Sequence, residues 1–262
     1  MNEDFSKYNG ENTILRKAQL RMLEILIEVD KICKKHNISY WLDGGTLLGA
    51  VRHGGFIPWD DDLDIAILRK DYEKLRKILP KELPEQFVFE DWKNNKNFSM
   101  KHAKVRDKNS YFEDPSWKEK DCLQGIYIDI FPKEKVISHK WRKKIDYFYG
   151  RVFRRLHGFN DSKVEFFIAC LIWIPSYCAA SISQMFSNLF GKDNLGQPFG
   201  GIAMYHICKK STIFPLKNIL FESMTFPAPN NEHQYLTYQY GNYMQIPPEE
   251  KRAIHATKIE IR

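Results

Sequence analysis

The chain has 262 residues, 43% of them hydrophobic, with 40 Lys or Arg against 33 Asp or Glu and a net charge of +7, enough apolar material for one large domain or a domain with an elaborate insertion. Its five cysteines, Cys33, Cys122, Cys170, Cys178 and Cys208, are scattered without a C-x-x-C pair, which argues against a disulfide framework or a zinc site and fits a reducing cytosol. No repeat or low-complexity tract interrupts the chain, and its polar, partly acidic start lacks the basic onset and apolar run of a secretory signal.

The first predicted element is an amphipathic helix. Leu15, Ala18, Met22, Ile25, Val29 and Ile32 recur at helical spacing behind the candidate caps Asn12 and Thr13, so one apolar face is available to cover a sheet. Strands are expected around residues 39–42, 64–68, 86–90, 99–106 and 125–131, with a helix over about 71–79 between the second and third. That alternation gives an α+β layout.

The densest chemistry lies in residues 43–65, where Asp43-Gly44-Gly45-Thr46 is followed by Asp60, Asp61, Asp62 and Asp64. Carboxylates this close repel one another unless a cation or a basic partner sits among them. In Asp62-Leu63-Asp64-Ile65 the acids alternate with aliphatic residues, so a strand would turn both carboxylates to one face and both side chains of Leu63 and Ile65 to the core. Hard oxygen ligands of this kind suit Mg²⁺ or Mn²⁺. A short helix starting near Thr46 would place the amides of Gly44, Gly45 and Thr46 where a nucleotide's phosphates could lie. Asp129, an acid at strand period in residues 125–131, is the best candidate for a third acid beside Asp62 and Asp64. A glycine pair followed by doubled strand acids is the pattern of a nucleotidyltransferase-type site, although each piece alone also reads as solvated loop or hydrogen-bonded strand edge.

Basic candidates surround these acids. Lys104 and Arg106 alternate on one predicted strand and could share a diphosphate, or be exposed surface cations. Arg52, between the glycines and the acids, could neutralise Asp60 or Asp61 or contact a phosphate. His53 and His255 have no sequence-local partner, so packing or hydrogen bonding suits them better than acid/base chemistry.

Residues 133–155 hold nine Lys or Arg and two acids, Glu134 and Asp146, and so carry the entire net +7. Residues 166–190 hold no charge at all. Three readings fit that pairing: two buried helices broken at Pro175, a peripheral contact with an anionic membrane surface, or a full span.

The run from Tyr40 to Ile65 resembles the core motif of the LicD/fukutin family of phosphotransferases. Residues 15–37 are similar to that family's leading helix, residues 125–132 to its third-acid strand, and residues 235–252 with His255 to its closing segment. The resemblance implies a nucleotidyltransferase-like mixed sheet flanked by helices: a catalytic core over 1–135, a basic and apolar helical insertion over 136–211, and a segment over 212–262 that packs back on the core. It further implies metal-dependent transfer of a phospho-alcohol, with phosphocholine from CDP-choline as the leading donor group and CMP as leaving group, to a glycan or lipid-linked glycan. Asp62, Asp64 and Asp129 would be the catalytic, metal-holding acids, and Gly44, Gly45, Thr46, Arg52, Lys104 and Arg106 would face the donor. A cytoplasmic location follows from such a donor, a lipid-carried acceptor would make a peripheral contact with the inner face of the membrane useful, and no nucleic-acid partner is expected. An ordinary nucleotidyltransferase acting on a small molecule, or a catalytically silent membrane-associated module, are the other readings.

Overall fold

The computed structural model describes residues 4–98, 100–115, 122–137, 140–156, 162–191, 193–199, 207–252 and 254–262. After a single helical turn, α1 (Ser6–Asn9), the leading helix α2 (Ile14–Lys35) opens on Thr13, whose side chain accepts from the backbone N–H of Arg16 at 3.1 Å. This satisfies one of the first-turn donors that a helix leaves unpaired. Leu15, Ala18, Met22, Ile25, Val29 and Ile32 are all buried, so the 3.6-residue period read from the sequence is the face packed on the sheet.

The central sheet runs β1 (Tyr40–Leu42), β2 (Asp64–Leu68), β6 (Tyr127–Lys135), β4 (Ala103–Asp107) and β3 (Phe87–Glu90) in that spatial order. Only β2 and β6 are parallel; β1, β4 and β3 run antiparallel to their neighbours. Helix α3 (Gly44–His53) fills the connection from β1 to β2, and α4 (Arg69–Glu82) follows β2 and buries Tyr72, Leu75 and Leu79. The α+β expectation with a mixed sheet flanked by helices therefore holds, with eight α-helices among the described residues.

Several smaller pairings surround this sheet. β5 (Ser110–Glu113) pairs with the last strand, β11 (Lys258–Ile261), so the C-terminal segment returns to the middle of the chain. β7 (Asn194–Gly196) extends the far end of β6 and pairs in turn with β8 (Cys208–Lys209), which leads into α7 (Lys210–Ile213). β9 (Lys217–Phe221) and β10 (Met224–Ala228) form a hairpin whose two turn residues, Glu222 and Ser223, both have positive φ. α8 (Glu232–Tyr240) then lies against α3. One core runs from α2 through the sheet to Leu195, Phe221, Phe226 and Tyr243.

Helices α5 (Lys140–Leu156) and α6 (Lys163–Phe190) form a hairpin with its own small apolar cluster around Tyr149, Ala180 and Phe199. The expected break at Pro175 does not occur: α6 runs through it as one 28-residue helix. Nor is the segment a pair of buried helices, because most of its large apolar side chains are exposed.

Candidate active site

The sheet register brings three charged side chains into one row. Asp64, the first residue of β2, stands opposite Asp129 on β6, and Asp129 stands opposite Lys104 on β4. Backbone bonds fix the approach to this row: Asp129 N donates to Leu63 O at 2.8 Å and Asp43 N to Asp64 O at 3.0 Å. Thr46, buried on α3, uses its hydroxyl Oγ1 to accept from the N–H of Asp64 at 2.8 Å.

Gly44 and Gly45 form the first turn of α3, after Asp43 as N-cap residue. A Cβ at Gly44 would run into Asp64 Oδ2, and one at Gly45 would lie 2.5 Å from Asp60 Oδ2. Gly44 also has φ +54°, a conformation that disfavours L side chains. The pair is thus glycine because two carboxylates lie directly against the helix N-terminus, where the helix dipole favours negative charge.

The acids divide into two kinds. Asp60, Asp62 and Asp64 all have carboxyl pKa values pushed above the ordinary range, chiefly by burial; repulsion from neighbouring carboxylates adds to it at each, and His255 pulls the other way at Asp60 and Asp62. Asp129 goes the other way: burial raises it, but Lys104 and His102 outweigh that and hold it well below. Lys104 Nζ lies 2.9 Å from Asp129 Oδ1 and 3.3 Å from the centre of the Tyr127 ring, while His102 Nε2 lies 3.2 Å from the same carboxylate oxygen.

Asp61 has a different task. It is fully buried, its Oδ1 is 2.7 Å from His255 Nδ1, and its Oδ2 accepts from Ala256 N at 2.7 Å, so it clamps the closing segment. That contact raises the His255 pKa to about 9, with the hydrogen bond to Asp61 the largest cause. Asp43, buried at the start of α3, pairs with Lys133 Nζ at 2.7 Å and accepts from Tyr235 Oη at 2.7 Å and Gln239 Nε2 at 2.9 Å.

Asp62, Asp64, His102, Lys104, Tyr127, Asp129, Phe131 and His255 are among the residues lining one cleft of about 240 Å³. Two of the basic candidates stand apart from it. Arg52 donates to the carbonyls of Tyr243 at 2.8 Å and Gln245 at 3.4 Å, which ties the segment after α8 to α3. Arg106 donates through Nε to Glu90 Oε2 at 2.9 Å, beside the same Tyr127 ring that Lys104 covers. His53 is pushed down to about 4 by burial and by Arg52, in keeping with a packing role.

Sequence alone does not single out Asp43, His102 or Tyr127. His102 could have been found, since it precedes Lys104 by two residues and so shares its strand face; the pairing of Asp43 with Lys133 joins distant positions that no local pattern links.

The donor set fits a hard divalent cation. Asp62 Oδ1 is a buried oxygen without a hydrogen-bond partner among the described residues, and its neighbours are carboxylates whose repulsion a cation would offset. Among the described residues no three His, Cys, Asp or Glu form a ready-made cage. A Mg²⁺ ion there would be held by one or two carboxylates, with substrate phosphates and water completing its shell.

A mixed sheet with strand-borne carboxylates facing a glycine-started helix defines a nucleotidyltransferase-type phosphotransferase. Residues 37–175 match the family described as LicD/FKTN/FKRP, nucleotidyltransferase domain, and the chain belongs to that family. It is 29% identical over 92% of its length to the lipopolysaccharide cholinephosphotransferase LicD of Haemophilus influenzae, of which the match covers 95%. A short stretch, 13% of this chain and 7% of the relative, is 59% identical to the human ribitol 5-phosphate transferase FKRP. Human ribitol-5-phosphate transferase FKTN is 32% identical over 26% of this chain and 15% of its own. The protein is therefore an enzyme of the LicD type, a phosphotransferase that moves a phospho-alcohol.

Proposed function

We propose that the protein transfers phosphocholine from CDP-choline to a sugar hydroxyl of a cell-surface glycan or its lipid-linked precursor and releases CMP. The observation that carries this reading is the row of Asp64, Asp129 and Lys104 across three strands, with Asp62 beside it in one cleft. In the reaction the acceptor oxygen forms a bond to the choline-bearing phosphorus, the bridge of the diphosphate breaks, CMP leaves with the electron pair, and the hydroxyl proton is released.

Asp62 and Asp64, with Asp129 adjoining, would hold Mg²⁺ or Mn²⁺, which when bound neutralises diphosphate charge and stabilises the leaving oxygen. Lys104 would meet a phosphate oxygen from the wall of the cleft, a reading supported by its pairing with Asp129 there. Of the two aromatic rings in the same wall, Tyr127 is already covered by Lys104, so Phe131, with His102 against it, is the ring that would attract a quaternary ammonium group. The work belongs in the cytoplasm, where CDP-linked donors are expected; the five free thiols support a reducing compartment.

The test supplies CDP-choline, Mg²⁺ and a lipid-linked glycan fraction, and follows CMP release and the mass gained by the acceptor. Chelator-sensitive CMP release with a phosphocholine-sized gain is the expected result. Release indifferent to chelator overturns the metal assignment. An acceptor that gains CMP instead makes the protein an ordinary nucleotidyltransferase.

A further inference from the structure

Helix α6 is amphipathic in the reverse of the usual sense. Its seam toward the protein is Ala169, Ser176, Ala180, Ser183 and Ser187, spaced at three, four or seven residues and all buried. Its outward face carries Phe167, Leu171, Ile174, Ile182, Leu189 and Phe190, with Ile174 71% exposed and Leu189 68% exposed. A helix of a soluble protein turns large aliphatic residues inward and serines outward. A contiguous apolar face of this size marks a contact with something apolar.

Helix α5 extends that face and gives it a charged border. Tyr147 and Phe148 are exposed beside it. Residues 140–163 hold eight Lys or Arg against two acids, and one of those acids, Asp146, is buried. Between the helices lies a groove of about 220 Å³ with apolar walls that include Phe148, Ile168 and Ile172, and with Arg151 and Arg155 in its lining. Apolar walls bearing two guanidinium groups are complementary to an acyl chain that ends in an anionic headgroup.

We propose that the α5–α6 hairpin docks in the plane of an anionic phospholipid surface, with the outward face of α6 in the interface and the basic residues of α5 on the headgroups. A second copy of this chain fits less well, because joining two apolar faces would bring two basic borders together. A span fits less well too. The serine seam of α6 is packed on its own protein, and Gln184 Nε2 donates to Lys135 O at 3.0 Å, which ties the helix to the end of β6.

The hairpin is coupled to the cleft through one short stretch. Met100 and His102 line the cleft, while Lys101 between them donates to Tyr149 Oη at 3.0 Å and lies 3.6 Å from the centre of the Phe153 ring, both on α5. Docking therefore fixes the cleft relative to the bilayer. That this serves a lipid-borne acceptor rests on the transfer reading above; the docking itself does not.

The experiment is flotation of the full chain with phosphatidylglycerol vesicles and with phosphatidylcholine vesicles over a range of salt. Binding to the anionic vesicles is expected, falling as salt rises. Replacing Arg151 and Arg155 together by Gln should weaken it roughly thirtyfold, about fivefold for each basic side chain near the surface. Leu171→Glu with Ile174→Glu, both at exposed positions, should abolish it while the thermal melt stays unchanged. Equal flotation with both vesicle types, or none with either, overturns the proposal. So does a concentration-dependent dimer that the two glutamates dissociate, which would assign the face to a second copy. These readouts are lipid binding and mass, so they stand or fall separately from donor chemistry.

Discussion

Asp60, Asp61, Asp62 and Asp64 coexist because each has a separate arrangement around it. Asp61 is paired with His255 and accepts from the Ala256 amide, Asp60 and Asp64 lie against the start of α3, and Asp62 keeps one buried oxygen without a hydrogen-bond partner among the described residues. The raised carboxyl pKa values of Asp62 and Asp64 have a stability consequence. A carboxyl whose folded value exceeds its unfolded one contributes stability only while protonated, so at neutral pH each ionised acid opposes folding. Asp62→Asn and Asp64→Asn should therefore lower transfer by on the order of 10²–10³-fold or more, the scale of losing a preorganised electrostatic contact, while leaving Tm at pH 7.5 without metal equal to or above wild type. Added Mg²⁺ should raise the Tm of the wild type alone. Scanning calorimetry with and without the ion checks both; a variant that melts well below the wild type would make these acids structural.

At the scale of elements, the closing segment is held over the cleft by a few contacts that the sequence separates widely. β11 pairs with β5, and three residues before that strand His255 meets Asp61. The His255 pKa, raised from its ordinary value near 6.5 to about 9, means that this pair stabilises the fold fully below about pH 6.5 and ceases to do so as pH passes 9. His255 is nearly half exposed, so solvent screening keeps the effect to about 1 kcal/mol or less, roughly 2–4 °C in Tm for a chain of this size. His255→Gln should lower Tm by that much at pH 6 and hardly at all at pH 9.5. An equal difference at both pH values would show that the contact does not depend on the imidazolium charge.

The same elements show what a sequence reveals. β2 was legible to its ends, Asp64 to Leu68, although only Asp64 and Ile65 of the alternating run enter the strand while Asp62 and Leu63 precede it; α2 was legible because its Thr13 cap and apolar period agree. The β9–β10 hairpin was not, since its turn is Glu222-Ser223 in place of the asparagine or glycine that usually supplies positive φ. Pro175 reads as a helix breaker, yet α6 passes through it, with tertiary packing along the Ala and Ser seam overriding the local signal. In the site, the acids stood out by their crowding. Their partners His102, Lys133, Tyr235 and Gln239 did not, because each is brought in by pairing across the sheet or by α8.

Across the whole molecule, two apolar clusters of unequal size divide the chain. The large one binds α2, the central sheet, β9, β10 and α8 into a single body around the cleft. The small one, Tyr149, Ala180 and Phe199 with Ile145 and Trp173 against it, holds α5 to α6 at the edge. Opening free energy follows buried apolar contact, so the hairpin should be the first cooperative unit to open. Native-state hydrogen exchange tests this: amides of α5 and α6 should exchange through an opening of lower free energy than those of β1, β2 and β6, and the gap should persist at denaturant concentrations too low to unfold the sheet. The coupling at Lys101 sharpens the expectation. Burial pulls its pKa down to about 7, far below the usual value for lysine, and the site that causes this is made of Tyr149 and Phe153 from α5 with Trp92. Because the folded value lies below the unfolded one, the unfolded state binds the extra proton, and the hold of the hairpin on Lys101 strengthens as pH rises from about 7 toward the unfolded value. Exchange from α5 should therefore slow, relative to the intrinsic rate, between pH 7 and pH 8.5. Protection in the hairpin equal to that of the sheet, or unchanged over that interval, would mean that the two clusters open as one.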